Sequence, residues 1–140
     1  MNLWVLDTDM LTLWLRGHDT IAARIAATPS QQLATTIITV EELLRGWYTQ
    51  VRRAHTDEQL AWAYQALQET VAFTCGVRIL PFHRPAIARC RALRFQHRRT
   101  GTNDLRIAAI ALEHESILVT RNTSDFAEIT GRQLEDWTKT

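Results

Sequence analysis

The chain has 140 residues, 46% of them hydrophobic, which excludes an intrinsically disordered protein and is long enough to bury a core. No apolar run reaches the length of a membrane-spanning helix and the N-terminus lacks the basic lead-in of a signal peptide, so we expect a cytoplasmic protein without membrane contact. The formal net charge of +1 does not indicate nucleic-acid binding, although Lys139 is the only lysine and the other cations are arginines, which suit phosphate.

The first half of the chain has apolar patterns typical of strands that alternate with helices. Short apolar runs, the second rich in β-branched residues, predict strands at residues 3–6 and 33–38. Apolar residues at helical spacing predict helices at residues 10–15, 20–27 and 39–51.

The second half continues the same alternation. It predicts helices at residues 56–73, 84–99 and 104–112, strands at 77–82, 116–120 and 133–137, and a short turn or helix at 126–129. The helix at 104–112 is apolar nearly all round, which is typical of a helix buried between layers. The pattern predicts a three-layer α/β/α domain with a short central parallel sheet, and no linker divides residues 1–140 into two domains.

Four acidic residues lie at or beside the predicted carboxyl ends of strands, where open parallel sheets bind their ligands. They are Asp7, Glu42, Asp104 and Asp125. No serine, cysteine or lysine nucleophile arrangement, glycine-rich phosphate loop or zinc-spaced histidine pair competes with them. Cys75 and Cys90 have no metal-ligand spacing, and we expect buried free thiols.

Each acid also has a purely structural explanation. Glu42 completes a capping box that begins at Thr39, and Asp7 could be a turn residue. Asp104 and Asp125 fall in the first turn of a helix, where the helix dipole favours a negative charge. Taken one at a time, these acids do not establish a site.

The four acids together are harder to explain by folding alone. Ionised carboxylates collected at one edge repel one another by on the order of 1 kcal/mol or more per close pair. A bound Mg²⁺ or Mn²⁺ would offset that repulsion, because both ions prefer hard oxygen ligands. Such an ion can activate water and stabilise charge on a phosphate, so the pattern favours hydrolysis of a phosphodiester.

Five stretches of the chain resemble the PIN-domain ribonucleases, in particular the toxin subunit of VapBC-type toxin–antitoxin pairs. They are LDTDML (6–11), TVEELLRG (39–46), GTNDLRIAAIAL (101–112), LVTRNTSDF (118–126) and LEDW (134–137). The resemblance implies a PIN-like fold and an endoribonuclease that depends on Mg²⁺ or Mn²⁺. It also implies a cognate antitoxin that occupies the groove of the toxin, an RNA substrate and a homodimer.

The resemblance also assigns roles to individual residues. Asp7, Asp104 and Asp125 would be the main metal ligands, and Glu42 would bind the ion directly or through water, or orient the attacking water. Supporting hydrogen bonds would come from Thr8, Thr120 and Asn122. Two positions depart from the family pattern. Thr100 stands where the family often has an apolar residue, and Asp9 stands where it often has an asparagine. Because Asp9 is a carboxylate, it could compete as a metal ligand.

Two further hypotheses concern neighbouring charges. Adjacent helical residues point about 100° apart, so only one of Glu41 and Glu42 can face the site, and we expect Glu42 to do so. The basic helix face that carries Arg94, Arg98 and Arg99 leads directly to Asp104, which indicates either RNA phosphate binding or a solvated helix face.

Two alternative functions remain at this point. Asp7-Thr8-Asp9 after a strand also resembles the nucleophile motif of haloacid-dehalogenase-like phosphatases, but those enzymes need a lysine and the only one here is Lys139, near the C-terminus. A non-catalytic RNA- or protein-binding module on a PIN fold is the other alternative. The presence of all four acids argues against it.

Overall fold

Five short parallel strands form the central sheet of the computed structural model, which describes residues 2–131 and 133–139. They are β1 (Trp4–Leu6), β2 (Leu33–Thr36), β3 (Arg78–Leu80), β4 (Ile117–Val119) and β5 (Leu134–Glu135). Their order across the sheet is β3-β2-β1-β4-β5. After β1 the chain adds β2 and β3 on one side of that strand, and it then adds β4 and β5 on the other side. The strand order therefore reverses between β1 and β4. A reversal of this kind opens a crevice at the carboxyl ends of the two strands.

Seven helices connect or follow the strands in the described part of the chain. They are α1 (Thr8–Leu15), α2 (Asp19–Ala26), α3 (Ile37–Arg53), α4 (Asp57–Thr74), α5 (Arg84–Gln96), α6 (Thr102–Glu113) and α7 (Thr123–Thr130). A single 3₁₀ turn, Ser30–Gln32, precedes β2. None of the helices that the structure describes is long and apolar enough to span a membrane.

The core lies on both faces of the sheet, because successive strand residues point to opposite sides. Val5 and Leu118 belong to one buried cluster, whereas Leu6 and Val119 belong to the other. The first cluster includes the buried face of α6, and the second includes residues of α1, α2 and α3. This division confirms the predicted three-layer α/β/α arrangement.

Helix α6 is buried as its composition predicts. Every residue from Leu105 to Ala111 except Arg106 is buried. Three alanines in this run have small side chains that allow the helix to approach the sheet and α5 closely. The helix therefore holds its N-terminal turn, with Asp104, in a fixed place at the edge of the sheet.

Several predicted boundaries are wrong by two or three residues, and local capping explains the clearest case. Helix α3 begins at Ile37 and not at residue 39, since the Thr36 side chain accepts a hydrogen bond from the Thr39 amide at 3.1 Å. The β-branched pair Ile37 and Ile38 resembles a strand in sequence, but this cap places it in the helix. Helix α5 ends at Gln96, before the predicted residue 99.

Other differences are smaller. Helix α6 begins at Thr102, two residues before its predicted start, and α7 is a full helix of eight residues where only a short turn or helix was expected. The expected edge strand near the C-terminus is present as β5. The expectation of buried thiols is wrong for Cys75, which is exposed because α4 ends immediately before it, while Cys90 is partly buried.

Trp137 provides a test of the second cluster. Its side chain is 1% exposed, and its indole nitrogen donates a hydrogen bond to Glu135 Oε1 at 2.9 Å. We expect Trp137→Ala to lower the free energy of unfolding by about 3–5 kcal/mol, because it leaves a cavity in the core. The matched control is Trp62→Ala. Because Trp62 is 56% exposed, this substitution should lower the free energy of unfolding far less. Urea denaturation measures both, and equal losses would contradict this description of the core.

Candidate active site

A cavity of about 560 Å³ opens at the carboxyl ends of β1 and β4. We call it the acid cavity, because three of the four predicted acids line it: Asp7, Glu42 and Asp104. The other lining residues are Thr8, Asp9, Thr12, Ile107, Thr120, Arg121, Asn122 and Phe126. The crevice at the strand reversal is therefore acidic.

Asp7 lies at the bottom of the acid cavity and is 7% exposed. It is the N-cap of α1, and its Oδ1 accepts a hydrogen bond from the Met10 amide at 2.9 Å. The pKa of Asp7 is raised to about 6, mainly by burial; hydrogen bonds from Thr120 and Met10 oppose this shift, and the charges of Asp9 and Asp104 add to it. Asp7 thus caps α1, and it also lines the cavity as a buried carboxylate whose charged form is destabilised by burial.

Glu42 reaches the cavity from the second turn of α3. Its Oε1 accepts a hydrogen bond from the Thr8 hydroxyl at 2.5 Å. The predicted capping box is wrong, since Thr36 caps α3 and Thr39 lies inside the helix. Glu41 points away and forms an exposed ion pair with Arg45 at 3.0 Å. Helix capping therefore does not explain Glu42.

Asp104 and Asp125 each occupy the third position of a helix, α6 and α7. Asp104 is accessible at the cavity rim, yet loss of hydration raises its pKa, and the charges of Glu42 and Asp125 raise it further. Asp125 does not line the acid cavity. It lines an adjoining recess of about 260 Å³, together with Asp104, Asn122 and Arg99. The four acids are thus electrostatically linked, with Asp125 at one side.

The supporting residues predicted from the sequence lie around the same cavity. The Thr8 hydroxyl donates to Glu42, and its oxygen lies 3.1 Å from the Thr39 hydroxyl oxygen. Thr120 is fully buried, and its hydroxyl accepts a hydrogen bond from the Asn122 amide at 3.0 Å while also bonding to Asp7. These bonds fix the loop after β4 against the start of α1.

The ion pair between Arg121 and Asp9 was not predicted from the sequence. Arg121 Nε donates to Asp9 Oδ2 at 2.6 Å, and both side chains are about half exposed, at 51% and 50%. Arg121 lies between Thr120 and Asn122 in the LVTRN motif, so its position after β4 was the available signal. Asp9, which the sequence left as a possible ligand, is engaged by this guanidinium.

The three arginines of the basic face have different surroundings. Arg94 Nη1 donates to the backbone carbonyls of His97, Arg98 and Thr100, at 3.3, 3.3 and 2.7 Å. These contacts use the guanidinium to hold the loop between α5 and α6, and the RNA-binding role of Arg94 stays a prediction. Arg98 and Arg99 are exposed on that loop, and Arg99 reaches the recess beside Asp125.

The donor chemistry of the cavity suits a hydrated divalent cation. Within residues 2–131 and 133–139, no group of three or more His, Cys, Asp or Glu side chains is arranged so that it could hold a metal ion directly. Mg²⁺ does not require such a cage, since it is commonly bound by one or two carboxylates and keeps several waters. Asp7 and Asp104 are carboxylates that line one roomy cavity, and loss of hydration together with neighbouring carboxylates raises the pKa of each. The residues therefore fit an ion that is held partly through water.

The sheet order and the site together define an α/β protein with an acidic crevice at the switch point between β1 and β4. The PIN domain family model matches residues 4–131. The chain therefore belongs to the PIN-domain family.

One curated relative and two solved structures are similar to this chain over nearly its whole length. The chain is 30% identical over 139 residues to ribonuclease VapC1 of Haemophilus influenzae, covering 98% of this chain and 99% of that protein. The structure of VapBC-1 from nontypeable H. influenzae aligns with a TM-score of 0.77 and 26% identity, over 98% of this chain and 99% of that one. A toxin–antitoxin complex from Klebsiella pneumoniae aligns with a TM-score of 0.73 and 26% identity, over 95% and 96%.

The burial of Asp7 makes stability depend on pH in metal-free buffer. The pKa of Asp7 is raised from 3.8 to about 6, so the folded state binds the proton more tightly and stability falls as the pH rises through this interval. The cost at neutral pH is on the order of 2–3 kcal/mol, since one pKa unit is worth about 1.4 kcal/mol. We expect Asp7→Asn, which can still cap α1, to melt at a higher temperature than wild type at pH 7.5 in EDTA and at nearly the same temperature at pH 4.

The control for this comparison is Asp57→Asn, which removes an exposed carboxylate from the first turn of α4. It should not stabilise the protein at pH 7.5. A melting temperature for Asp7→Asn below that of wild type at pH 7.5 would show that the buried charge is compensated within the protein.

Proposed function

We propose that this protein is a metal-dependent endoribonuclease that acts as the toxin of a toxin–antitoxin pair and hydrolyses RNA phosphodiester bonds. The observation that carries the proposal is the acid cavity itself, in which Asp7, Glu42 and Asp104 line one space and Asp104 is electrostatically linked to Asp125. The 30% identity to a ribonuclease VapC1 over nearly the whole chain supports it.

Asp7 and Asp104 would hold a Mg²⁺ or Mn²⁺ ion, with Asp125 and Glu42 as further ligands, directly or through water. When bound, such an ion lowers the pKa of a coordinated water and stabilises negative charge on the phosphate. The pKa of Asp7 in the folded protein without a bound ion is about 6, so ion binding should strengthen as the pH rises through that value.

The remaining residues of the site orient the reactants. Thr8 occupies Oε1 of Glu42, which leaves Oε2 without a hydrogen bond to any residue that the structure describes. That oxygen can accept a hydrogen bond from the water that attacks phosphorus. Thr120 and Asn122 keep Asp7 and the loop after β4 in place. Hydrolysis then breaks one P–O bond, with water supplying the hydroxyl to phosphorus and the proton to the leaving oxygen.

The alternative functions have less support. A haloacid-dehalogenase-like phosphatase would need a lysine at the site, whereas Lys139 is not among the cavity residues and lies 4.0 Å from Asp136. Membership of the PIN-domain family also disagrees with that interpretation. A non-catalytic binding module on the PIN fold has no need to retain a buried, destabilising Asp7.

The partners we propose are RNA, a cognate antitoxin and a second copy of the chain, all in the cytoplasm. An apolar groove between α1, α3 and α4 adjoins the acid cavity and is lined in part by Leu15, Leu43, Trp47 and Trp62. An antitoxin segment in this groove would block access to Glu42, which borders both spaces. Structural relatives that are toxin–antitoxin complexes support this partner.

The site assignment is tested by removing single charges from the acid cavity. We expect Asp7→Asn and Asp104→Asn each to lower kcat for RNA cleavage by about 100-fold or more, because each removes a proposed ligand without removing side-chain volume. The matched control is Glu41→Gln, next to Glu42 but directed at Arg45, which should cleave at the wild-type rate. Single-turnover cleavage of total RNA in Mn²⁺, with circular dichroism to verify folding, measures the effect. Wild-type cleavage by either aspartate variant would refute the assignment.

Ion binding can be tested without catalysis. We expect Mn²⁺ to raise the melting temperature of wild type and of Glu41→Gln by similar amounts, and that of Asp104→Asn by much less. Equal shifts in all three proteins would place the ion outside the acid cavity.

The exposed arginines of the loop between α5 and α6 provide a separate test of RNA binding. We expect Arg98→Ala combined with Arg99→Ala to weaken RNA binding and to reduce the salt slope by about 0.7 for each phosphate that is no longer neutralised. The control is Arg52→Ala combined with Arg53→Ala, an exposed arginine pair at the end of α3. If both double variants have the same salt slope, Arg98 and Arg99 belong to an ordinary solvated surface.

A further inference from the structure

The charges that line the acid cavity are unequally distributed. Four of the lining side chains are carboxylates: Asp7, Asp9, Glu42 and Asp104. Among the lining residues, Arg121 is the only one with a permanent positive charge. An RNA strand carries a negative charge at every phosphate, so its approach to this cavity is opposed unless cations are present at the entrance.

Arg121 is held in a way that leaves its terminal nitrogens available. The contact to Asp9 uses Nε, at 2.6 Å. Within the described part of the chain, neither terminal nitrogen of Arg121 donates a hydrogen bond. A guanidinium has five N–H donors, so this arrangement presents four of them, as a planar fork that matches the oxygens of a phosphate.

The backbone that carries Arg121 is fixed on both sides. The Thr120 amide donates to the Glu135 carbonyl of β5 at 2.9 Å, and the Asn122 amide donates to the Thr120 hydroxyl at 3.0 Å. Together with the Asp9 contact, these bonds restrict where the guanidinium can lie. Part of the side-chain entropy that an arginine usually loses on binding is therefore lost before RNA arrives.

The ion pair has little reason to exist for stability alone. Both side chains are about half exposed, and exposed ion pairs contribute little to folding. Asp9 also adds a fourth negative charge to a cavity that already raises the pKa of Asp7. An asparagine at this position would relieve that charge, so the carboxylate is better explained by its contact with Arg121.

We propose that Arg121 binds an RNA phosphate at the entrance of the acid cavity, and that Asp9 is a positioning residue that holds the guanidinium by Nε and directs its terminal nitrogens to that phosphate. The proposal deepens the nuclease function above and rests on it for the identity of the ligand. Arg121 touches substrate, whereas Asp9 affects RNA binding through Arg121.

The test compares Arg121→Ala with Arg45→Ala. Both variants remove one arginine from an exposed ion pair and change the net charge equally, but Arg45 does not line the acid cavity. Binding of a fluorescein-labelled single-stranded RNA is measured by fluorescence anisotropy in EDTA over a range of salt concentrations, so that no cleavage occurs. We expect Arg121→Ala to weaken binding about tenfold and to reduce the salt slope by about 0.7, with Arg45→Ala unchanged.

Arg121→Lys and Asp9→Ala separate charge from geometry. Arg121→Lys should keep the wild-type salt slope but bind more weakly, because an ammonium cannot form the bidentate contact. Asp9→Ala should lower kcat/KM in Mn²⁺ when Arg121 is present and cause no further decrease when combined with Arg121→Ala. A further decrease in that double variant would mean that Asp9 acts directly, for example as a metal ligand, and would overturn its positioning role.

The outcomes for Arg121 and for the nuclease function can be told apart. If wild type cleaves RNA and Arg121→Ala matches Arg45→Ala in affinity, salt slope and kcat/KM, the Arg121 proposal is wrong and the nuclease proposal stands. If wild type cleaves no RNA in Mn²⁺ but Arg121→Ala still reduces the salt slope, the phosphate contact is supported and the nuclease proposal is wrong.

Discussion

The electrostatic cost of holding carboxylates together at the reversal of strand order is the constraint on which the rest of the structure depends. Asp7 is buried at this point, and the loss of hydration, with a smaller contribution from the neighbouring acids, raises its pKa to about 6. Capping of α1 requires only a short hydrogen-bond acceptor, which an uncharged side chain could supply. Helix capping therefore does not account for the charge, and the proposed divalent cation would, because carboxylate oxygens are the ligands that Mg²⁺ prefers.

The fold brings these acids together by simple means. A parallel sheet places the ends of β1 and β4 side by side, and helices that run back across the sheet begin at the same edge. Asp7 follows β1, Asp104 and Asp125 lie in the first turns of α6 and α7, and Glu42 extends from the second turn of α3. The sheet topology therefore places four stretches that are distant in sequence at one edge of the sheet.

The layer order and the location of the site were predictable from the sequence, since strand and helix periodicity and the positions of the acids after strands are properties of short segments. The exact start of α3 was not, because Ile37 and Ile38 favour a strand locally and a single hydrogen bond to Thr36 decides otherwise. The sequence placed Glu42 near the other acids, and the structure has it in the same cavity, but the capping box suggested as its structural explanation is absent. The contacts of Arg94 with loop carbonyls and of Arg121 with Asp9 were not predictable, because neighbouring residues do not reveal them and the second spans 112 positions of chain.

Anomalous diffraction from crystals of the metal-free protein soaked in Mn²⁺ tests the central claim most directly, since it locates the ion without relying on activity. We expect an anomalous peak in the acid cavity within coordination distance of the carboxylates of Asp7 and Asp104. A peak bound elsewhere on the protein, or an acid cavity that contains only water at saturating Mn²⁺, would contradict it.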